Sequence, residues 1–401
     1  MKKQIVFLLL MSCFLKLHAH NFINILSTDN HTVFLSGNGK IYSSGLNLYG
    51  QLGLGYTSDY ENFSEVECNA YFVSIAVGEV HNLALDSNGF LWGWGSNVYY
   101  QLSRNIKSDN ERLNISTSPV KLSNEKWLKI YASGDLSFGI KEDGTLWGWG
   151  RTSHVQTGQW RGVMNQINHP NNLQWKEISL HYDYFVATDI QGDLWTWGCI
   201  NQEGGYSFFD YYKKEKSSYY EVNKLLNIKD VDKVQISQYN ISQTANHKIN
   251  IYGYSVAKPQ NIYRDFVYDI SDSNRSSYRS FYYKQEEKSR EGDKVYTGYF
   301  INEQSVMHTI ISWGNPSGAI KKLCYTLIVR KDKIILWTNG ERFIIDKNNI
   351  RNIWTSNVIF LEDTNNKIYI IGYNDYNRLG INKPKEEFLY CEPFVFLKEE
   401  F

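Results

Sequence analysis

The chain of 401 residues has no surplus of either charge. Its 42 Lys and Arg balance 42 Asp and Glu, with no basic arm or stripe. The electrostatic footprint of a nucleic-acid binder is therefore missing. Cysteine is scarce, at five positions: Cys13, Cys68, Cys199, Cys324 and Cys391. They match no metal-ligand spacing. The last four fall in different copies of the repeat described below, too far apart on a ring for the short Cα separation a disulfide needs. Buried free thiols are expected. Beyond residue 20 no stretch is apolar enough to cross a membrane. There is no phosphate loop, no HExxH, no GxSxG and no EF-hand loop. Gly37-x-Gly39-Lys40 lacks the length and the Ser/Thr of a phosphate loop and reads as a hairpin turn. No base, nucleophile and acid are brought together, so the chain is expected to be no enzyme, with no catalytic residue, cofactor or metal.

The one long apolar run sits at the N-terminus. Lys2 and Lys3 precede Ile5 to Leu15, and Leu17-His18-Ala19 reads as a small-residue cleavage site. This is the grammar of an export signal. Residues 1–19 are read as that signal and 20–401 as the mature domain, periplasmic or extracellular. Leu10-Met11-Ser12-Cys13 also resembles a lipobox. A lipid anchor at Cys13 is the second reading.

What is abundant is aromatic: 12 Trp, 30 Tyr and 20 Phe. That load favours strands. One phrase recurs: HTVFLSGNGKIYSSG (His31–Gly45), HNLALDSNGFLWGWG (His81–Gly95), SFGIKEDGTLWGWG (Ser137–Gly150) and YFVATDIQGDLWTWG (Tyr184–Gly198). Each holds a strand of alternating character and a tight turn at Asn38-Gly39, Asn88-Gly89, Asp143-Gly144 or Gln191-Gly192. A second strand ends on Gly. Asn-Gly and Asp-Gly predict two-residue hairpin turns with positive φ at both central residues. In three copies two Trp stand two residues apart, at 92/94, 147/149 and 195/197, on one face of the sheet. Inter-blade packing is the expected use of these pairs, ahead of a sugar-stacking platform. His31 and His81 share one place in the phrase, which points to a structural role. Asp86, Glu142-Asp143 and Asp189 read as solvated hairpin tips.

A repeat of about fifty residues predicts propeller blades. Later echoes are Ile249–Gly253, Lys333–Gly340 and Lys367–Gly372, with Val295–Gly298 and Ile310–Gly314 as candidates in the weakest stretch. The expectation is an all-β, single seven-bladed propeller of four-stranded antiparallel blades, with eight blades as the alternative. Pairing of Phe22–Leu26 with Pro393–Leu397 is expected to close the ring and remove two exposed edges.

Three further motifs carry a resemblance. Gly50-Gln51-Leu52-Gly53-x-Gly55 follows the first phrase, Gly78-x-x-His81 precedes the second strand pair, and Asn374–Gly380 is a late echo. Together with Leu-Trp-x-Trp-Gly they resemble the regulator of chromosome condensation repeat. Tyr99-Tyr100-Gln101-Leu102 keeps only the centre of that signature. The resemblance implies a propeller of this type, and the family includes secreted β-lactamase inhibitor propellers. It also implies, as an alternative, guanine-nucleotide exchange on a small GTPase, including as a host-directed effector. A carbohydrate-binding propeller is the third reading.

Function is expected on the inserts that break the repeat: Arg104–Ser118, Arg151–Leu173 and Ser207–Tyr220. Tyr, Trp and Arg dominate interface hot spots, and long loops on a rigid frame carry binding. Trp160, Arg161, Phe208, Phe209, Tyr211, Tyr212, Tyr219 and Tyr220 are the candidate partner-binding residues. The chain is thus read as a monomeric, non-enzymatic, exported scaffold that binds a protein partner.

Overall fold

The computed structural model describes residues 21–104, 106, 113–151, 164–181, 184–198, 222–224, 231–237, 240–245, 248–254, 262–269, 299–301, 305–311, 324–330, 333–338, 341–355, 358–371 and 397–398. These residues form antiparallel sheets and one short 3-10 turn, Lys347–Asn349. The first unit is β1 (Phe22–Ser27), β2 (His31–Ser36), β3 (Ile41–Asn47) and β4 (Ser58–Val66), paired in chain order. The second is β5 (Phe72–Val77), β6 (His81–Asp86), β7 (Phe90–Ser96) and the start of β8 (Ile115–Ser133). The third runs from the rest of β8 through β9 (Leu136–Lys141), β10 (Leu146–Gly150) and β11 (Asn165–Ile167). The fourth is β12 (Trp175–His181), β13 (Tyr184–Asp189), β14 (Leu194–Gly198) and β15 (Asn223–Lys224). The fifth is β16 (Val231–Ser237), β17 (Asn240–Ala245), β18 (Lys248–Tyr254) and β19 (Ile262–Asp269). A sixth sheet holds β20 (Tyr299–Ile301), β21 (Ser305–Ile311), β22 (Cys324–Arg330), β23 (Lys333–Thr338) and β24 (Glu341–Asp346). The last holds β25 (Ile350–Thr355), β26 (Ile359–Asp363) and β27 (Ile368–Ile371), and β28 (Leu397–Lys398) returns to β24.

The recurrent phrase is thus the second and third strand of each unit. Two units are not separate sheets. Strand β8 pairs with β7 up to Lys126 and with β9 from Trp127, so one continuous strand closes the second unit and opens the third. The echoes at Ile310–Gly314 and Lys333–Gly340 fall in one sheet, through β21 and β23.

The turns differ from expectation. In the first hairpin Gly39 N–H donates to Ser36 C=O and Ser36 N–H to Lys40 C=O. The loop therefore has three residues, Gly37-Asn38-Gly39, and only Gly39 has positive φ (78°). The same bonds recur at Gly144 and Gly192, and at Asn366 with φ 63°. This is a type I turn followed by one left-handed residue, the three-residue hairpin solution. The reason lies in the next unit. Phe72 N–H donates to Gly39 C=O, Trp127 N–H to Gly89 C=O and Trp175 N–H to Gly144 C=O. The left-handed residue aims its carbonyl at the following sheet and staples the two together. Gly39 and Gly89 have nearly equal φ, yet a Cβ on Gly39 would meet the Tyr71 ring at 2.5 Å while one on Gly89 finds nothing nearer than 3.5 Å. Gly39→Ala is expected to destabilise more than Gly89→Ala, which carries only the left-handed penalty of about 1–2 kcal/mol. Urea unfolding of both variants checks this; equal losses would show that the contact with Tyr71 contributes nothing.

The first strands of six units carry an extra residue. The register slips between Phe22 and Asn24, Phe72 and Ser74, Trp127 and Lys129, Trp175 and Glu177, Val231 and Lys233, and Ile350 and Asn352. A bulge breaks the two-residue alternation. It lets Phe22 and Ile25, or Phe72 and Ile75, both be buried although they are three apart.

Apolar cores form between units. Trp94 of the second unit packs with Val33, Leu35 and Ile41 of the first. Trp149 of the third packs with Leu83, Leu85 and Leu91 of the second. Trp197 of the fourth packs with Phe138 and Ile140 of the third. The expected role of these tryptophans therefore holds, and all three are fully buried. Cys68 is a free, half-buried thiol. Of the C-terminal strand expected to pair with β1, residues 393–396 lie outside the described residues. β1 pairs with β2, and β28 pairs with β24. The first and last sheets meet through side chains. Phe22, Phe34, Tyr42 and Phe63 pack with Val358, Phe360, Ile368 and Ile370. Aromatic burial joins these two sheets.

Candidate interaction surface

Connections of one kind leave every unit from the same end, that of the turn between its first and second strands. The loop after β3 is built by its own side chains. Asn47 Oδ1 accepts from Leu52 N–H at 3.1 Å, and Asn47 Nδ2 donates to Tyr56 C=O at 2.9 Å. Gln51 Oε1 accepts from Tyr49 N–H at 2.9 Å. After β7, Asn97 and Gln101 repeat this with Leu102 and Tyr99 at 3.0 and 2.9 Å. The Gln carbonyls face the next unit. Gln51 C=O accepts from Asn82 Nδ2 at 2.6 Å and Trp94 Nε1 at 3.0 Å. Gln101 C=O accepts from Ser137 Oγ at 2.7 Å and Trp149 Nε1 at 2.8 Å. This explains the signature: Gln sets the loop with its side chain and locks the neighbour with its backbone. Tyr99-Tyr100-Gln101-Leu102 keeps the whole device, with Tyr100 at φ 60° where the first loop has Gly50.

The histidines complete these locks. His31 Nε2 donates to Asn82 Oδ1 at 2.8 Å, and His81 Nε2 lies 2.8 Å from Ser137 Oγ. Both reach side chains of the next unit rather than backbone. Burial lowers His31 to about 4, against the opposing bond to Asn82. Burial lowers His81 to about 3, with His31 adding to the effect. In the fourth unit Phe185 stands where Asn82 and Ser137 stood, and it packs on Phe138 and Trp197. Trp197 Nε1 is then buried without a partner.

The turn carboxylates are not all solvated, as the sequence suggested. Asp86 Oδ1 accepts from Asn88 and Phe90 N–H, and its Oδ2 from Trp92 Nε1 at 2.9 Å. Asp189 does the same for Gln191, Asp193 and Trp195, and also meets His169 Nε2 at 3.2 Å. Both are buried. Only Glu142 and Asp143 are exposed. The corresponding place in that hairpin is taken by Lys141, whose Nζ lies 3.7 Å from the Trp147 ring centroid and 2.7 Å from Glu125. Every one of these groups serves the turn or the indole. Among the described residues no three His, Cys, Asp or Glu are grouped to hold a metal ion, and no helix is long and apolar enough to cross a membrane.

The surface of the loop end is aromatic. Leu48, Tyr49, Tyr56, Tyr60, Val98 and Leu113 are exposed. Leu48-Tyr49 and Val98-Tyr99 hold equivalent places after Asn47 and Asn97, a repetition visible in the sequence but passed over there. Arg104 stacks over Tyr100 at 5.3 Å and Arg151 over Tyr99 at 5.1 Å. The inserts belong to this same end. Arg104–Ser118 lies between β7 and β8, with its last four residues in β8. Trp160 and Arg161 lie in the connection between β10 and β11. Phe208, Phe209, Tyr211, Tyr212, Tyr219 and Tyr220 lie in that between β14 and β15. All eight are outside the described residues.

A family model for the regulator of chromosome condensation (RCC1) repeat matches residues 27–51 and 72–101. These spans hold the phrase and the Gln-Leu loop of the first two units. No curated protein matches the sequence. Among solved structures, Saccharomyces cerevisiae Prp20p, described with its binding properties to Gsp1p and histones, is 14% identical with a TM-score of 0.58, over 89% of this chain and 86% of that one. Yeast RCC1 (Prp20) bound by Kap60 gives 14% and 0.59, over 91% and 86%. Human WBSCR16 gives 15% and 0.50, over 80% and 79%. Identities this low show likeness of fold alone. The matched spans are thus RCC1 repeats, and the fold of the chain is like that of the RCC1 β-propellers.

Proposed function

We propose that the chain is a seven-bladed, non-enzymatic scaffold, exported after removal of residues 1–19, that binds a protein partner with the loops of one end. The seven units above correspond to seven blades, joined through the Phe22, Phe34 and Phe360 cluster. The observation that carries the binding reading is topological. Three inserts, Arg104–Ser118, Arg151–Leu173 and Ser207–Tyr220, all leave from the third strand of consecutive units, at the end that exposes Leu48, Tyr49 and Val98. A rigid base with aromatic loops is how interfaces gain area at low entropic cost. Yeast Prp20p (RCC1), similar in fold, is described with Gsp1p, histones and Kap60. Balanced charge supports a protein partner over nucleic acid.

The test is capture from source-cell extract and culture supernatant with the chain from His20 as bait. A second bait replaces Ser207–Tyr220 by a short Gly-Ser linker. A protein held by the first bait and released by the second is expected. Capture that the replacement leaves unchanged would remove this loop from the site. Absence of any protein partner would sink the scaffold reading.

A further inference from the structure

The opposite end of the sheets carries an arc of residues that neither the repeat grammar nor the loop end uses. It is made by the bulges of the first strands. These strands adjoin one another in the order β25, β1, β5, β8, β12 and β16. The extra residue is Arg351 in β25, Ile23 in β1, Val73 in β5, Leu128 in β8, Lys176 in β12 and Asp232 in β16. A bulge turns its extra residue away from the ladder, and bulges collect where a side chain must be re-aimed. The effect here is large. Ile23, Val73 and Leu128 are 51%, 47% and 58% exposed, while Phe22, Phe72 and Trp127 beside them are buried.

Three neighbouring units therefore present an aliphatic side chain at one equivalent position, and a cation flanks the three on either side, with Asp232 beyond Lys176. Tyr71, also exposed, adjoins Val73 and donates from its hydroxyl to Gly37 C=O at 2.7 Å. The Arg351 guanidinium donates to Thr364 C=O at 3.3 Å and contacts Asn366. Those acceptors are uncharged, so its positive charge is retained. Lys176 is exposed, and its carbonyl accepts from Lys129 Nζ at 2.9 Å. Lys129 itself is matched by Glu177 at 3.4 Å.

Solvent-exposed aliphatic residues aligned on adjacent elements mark an interaction site more often than scattered ones do. The charge at the two ends selects the occupant. We propose that the Ile23–Val73–Leu128 arc, bracketed by Arg351 and Lys176, docks a segment of a partner protein whose apolar residues lie between acidic ones. The acidic flanks meet the two cations, and the apolar centre covers the aliphatic row. This site is at the end away from the long loops and is independent of them.

The experiment uses the chain from His20 and a fluorescein-labelled peptide with Leu-Val-Leu between two Asp pairs, read by anisotropy at low salt. Saturable binding is expected, at least tenfold weaker for the same peptide with Lys in place of Asp. Val73→Ser with Leu128→Ser is expected to weaken it at least tenfold, with an unchanged thermal melt because both residues are half exposed. Lys176→Glu with Arg351→Glu is expected to reverse the preference between the two peptides. Absence of saturable binding, equal affinity for the Asp and Lys peptides, or indifference to V73S/L128S would each overturn the proposal. The Ser207–Tyr220 replacement leaves this binding intact, which separates its failure from that of the loop reading.

Discussion

Asp189→Ala is expected to lower the unfolding free energy on the order of 4 kcal/mol, since a buried donor left without its acceptor costs about 1–3 kcal/mol and several are stranded at once. The Asp189 carboxylate sits at zero exposure and serves the backbone N–H groups of Gln191 and Asp193, the Trp195 indole and His169. His169 in turn lies between the Trp175 and Trp195 rings, 4.6 and 4.5 Å from their centroids. Removing the carboxylate thus loosens a turn, an indole and the packing between the third and fourth units together. Asp86→Ala should cost less, because its set of donors lacks a histidine. Asp143→Ala should cost least, because Asp143 is exposed and bonds only Thr145. Urea midpoints of the three variants at constant m check the order Asp189, Asp86, Asp143. An equal loss in all three would mean that turn geometry, not burial of the carboxylate, sets the effect.

The second large effect is acid sensitivity carried by His31 and His81. Both imidazoles are buried neutral, and desolvation lowers them from 6.5 to about 4 and about 3. The sign follows from proton uptake. Below 6.5 the unfolded chain binds protons at these sites that the native chain refuses. Stability is therefore whole above that pH and falls as pH drops, by about 1.4 kcal/mol per unit for each histidine. The His31 share stops changing near 4 and the His81 share near 3. A second proton on His81 has no acceptor in place. Asn82 Oδ1 and Ser137 Oγ already take the Nε2 protons. His169 adds a smaller term of the same sign, lowered by burial against the pull of Asp189. Urea unfolding from pH 7.5 down to 4.5 should show a steep loss for the wild type. His31→Gln with His81→Gln should start less stable and show a flatter profile. Parallel profiles would place the acid sensitivity in other groups.

The unit and its strands were legible in the sequence. A turn signal between two alternating runs dictates a hairpin wherever it occurs, and four copies of Gly-bounded strand pairs predict four copies of one sheet. The tryptophan pairs were legible for the same reason, because a spacing of two puts both rings on one face. His31 and His81 were legible as structural, though not their partners, since Asn82 and Ser137 are 51 and 56 residues away in the chain. Such distances leave no mark on local pattern.

Three features were decided only by packing between units. Asn38-Gly39 reads as a two-residue turn, but the Gly39 carbonyl must meet Phe72 N–H, and that requirement selects the three-residue loop. Phe22 and Ile25 look like an error in alternation until the bulge that buries both is seen. The packing of Phe22 and Phe34 against Phe360 joins residues from opposite ends of the chain, which no local pattern announces. The candidate surface divides in the same way. Its aromatic inserts were conspicuous as departures from the repeat, while the arc of Ile23, Val73 and Leu128 was invisible. Each of these residues is an ordinary strand residue in its own segment. Only the bulge, which exposes it, and the adjoining of the first strands place the three aliphatic side chains at equivalent positions of neighbouring units.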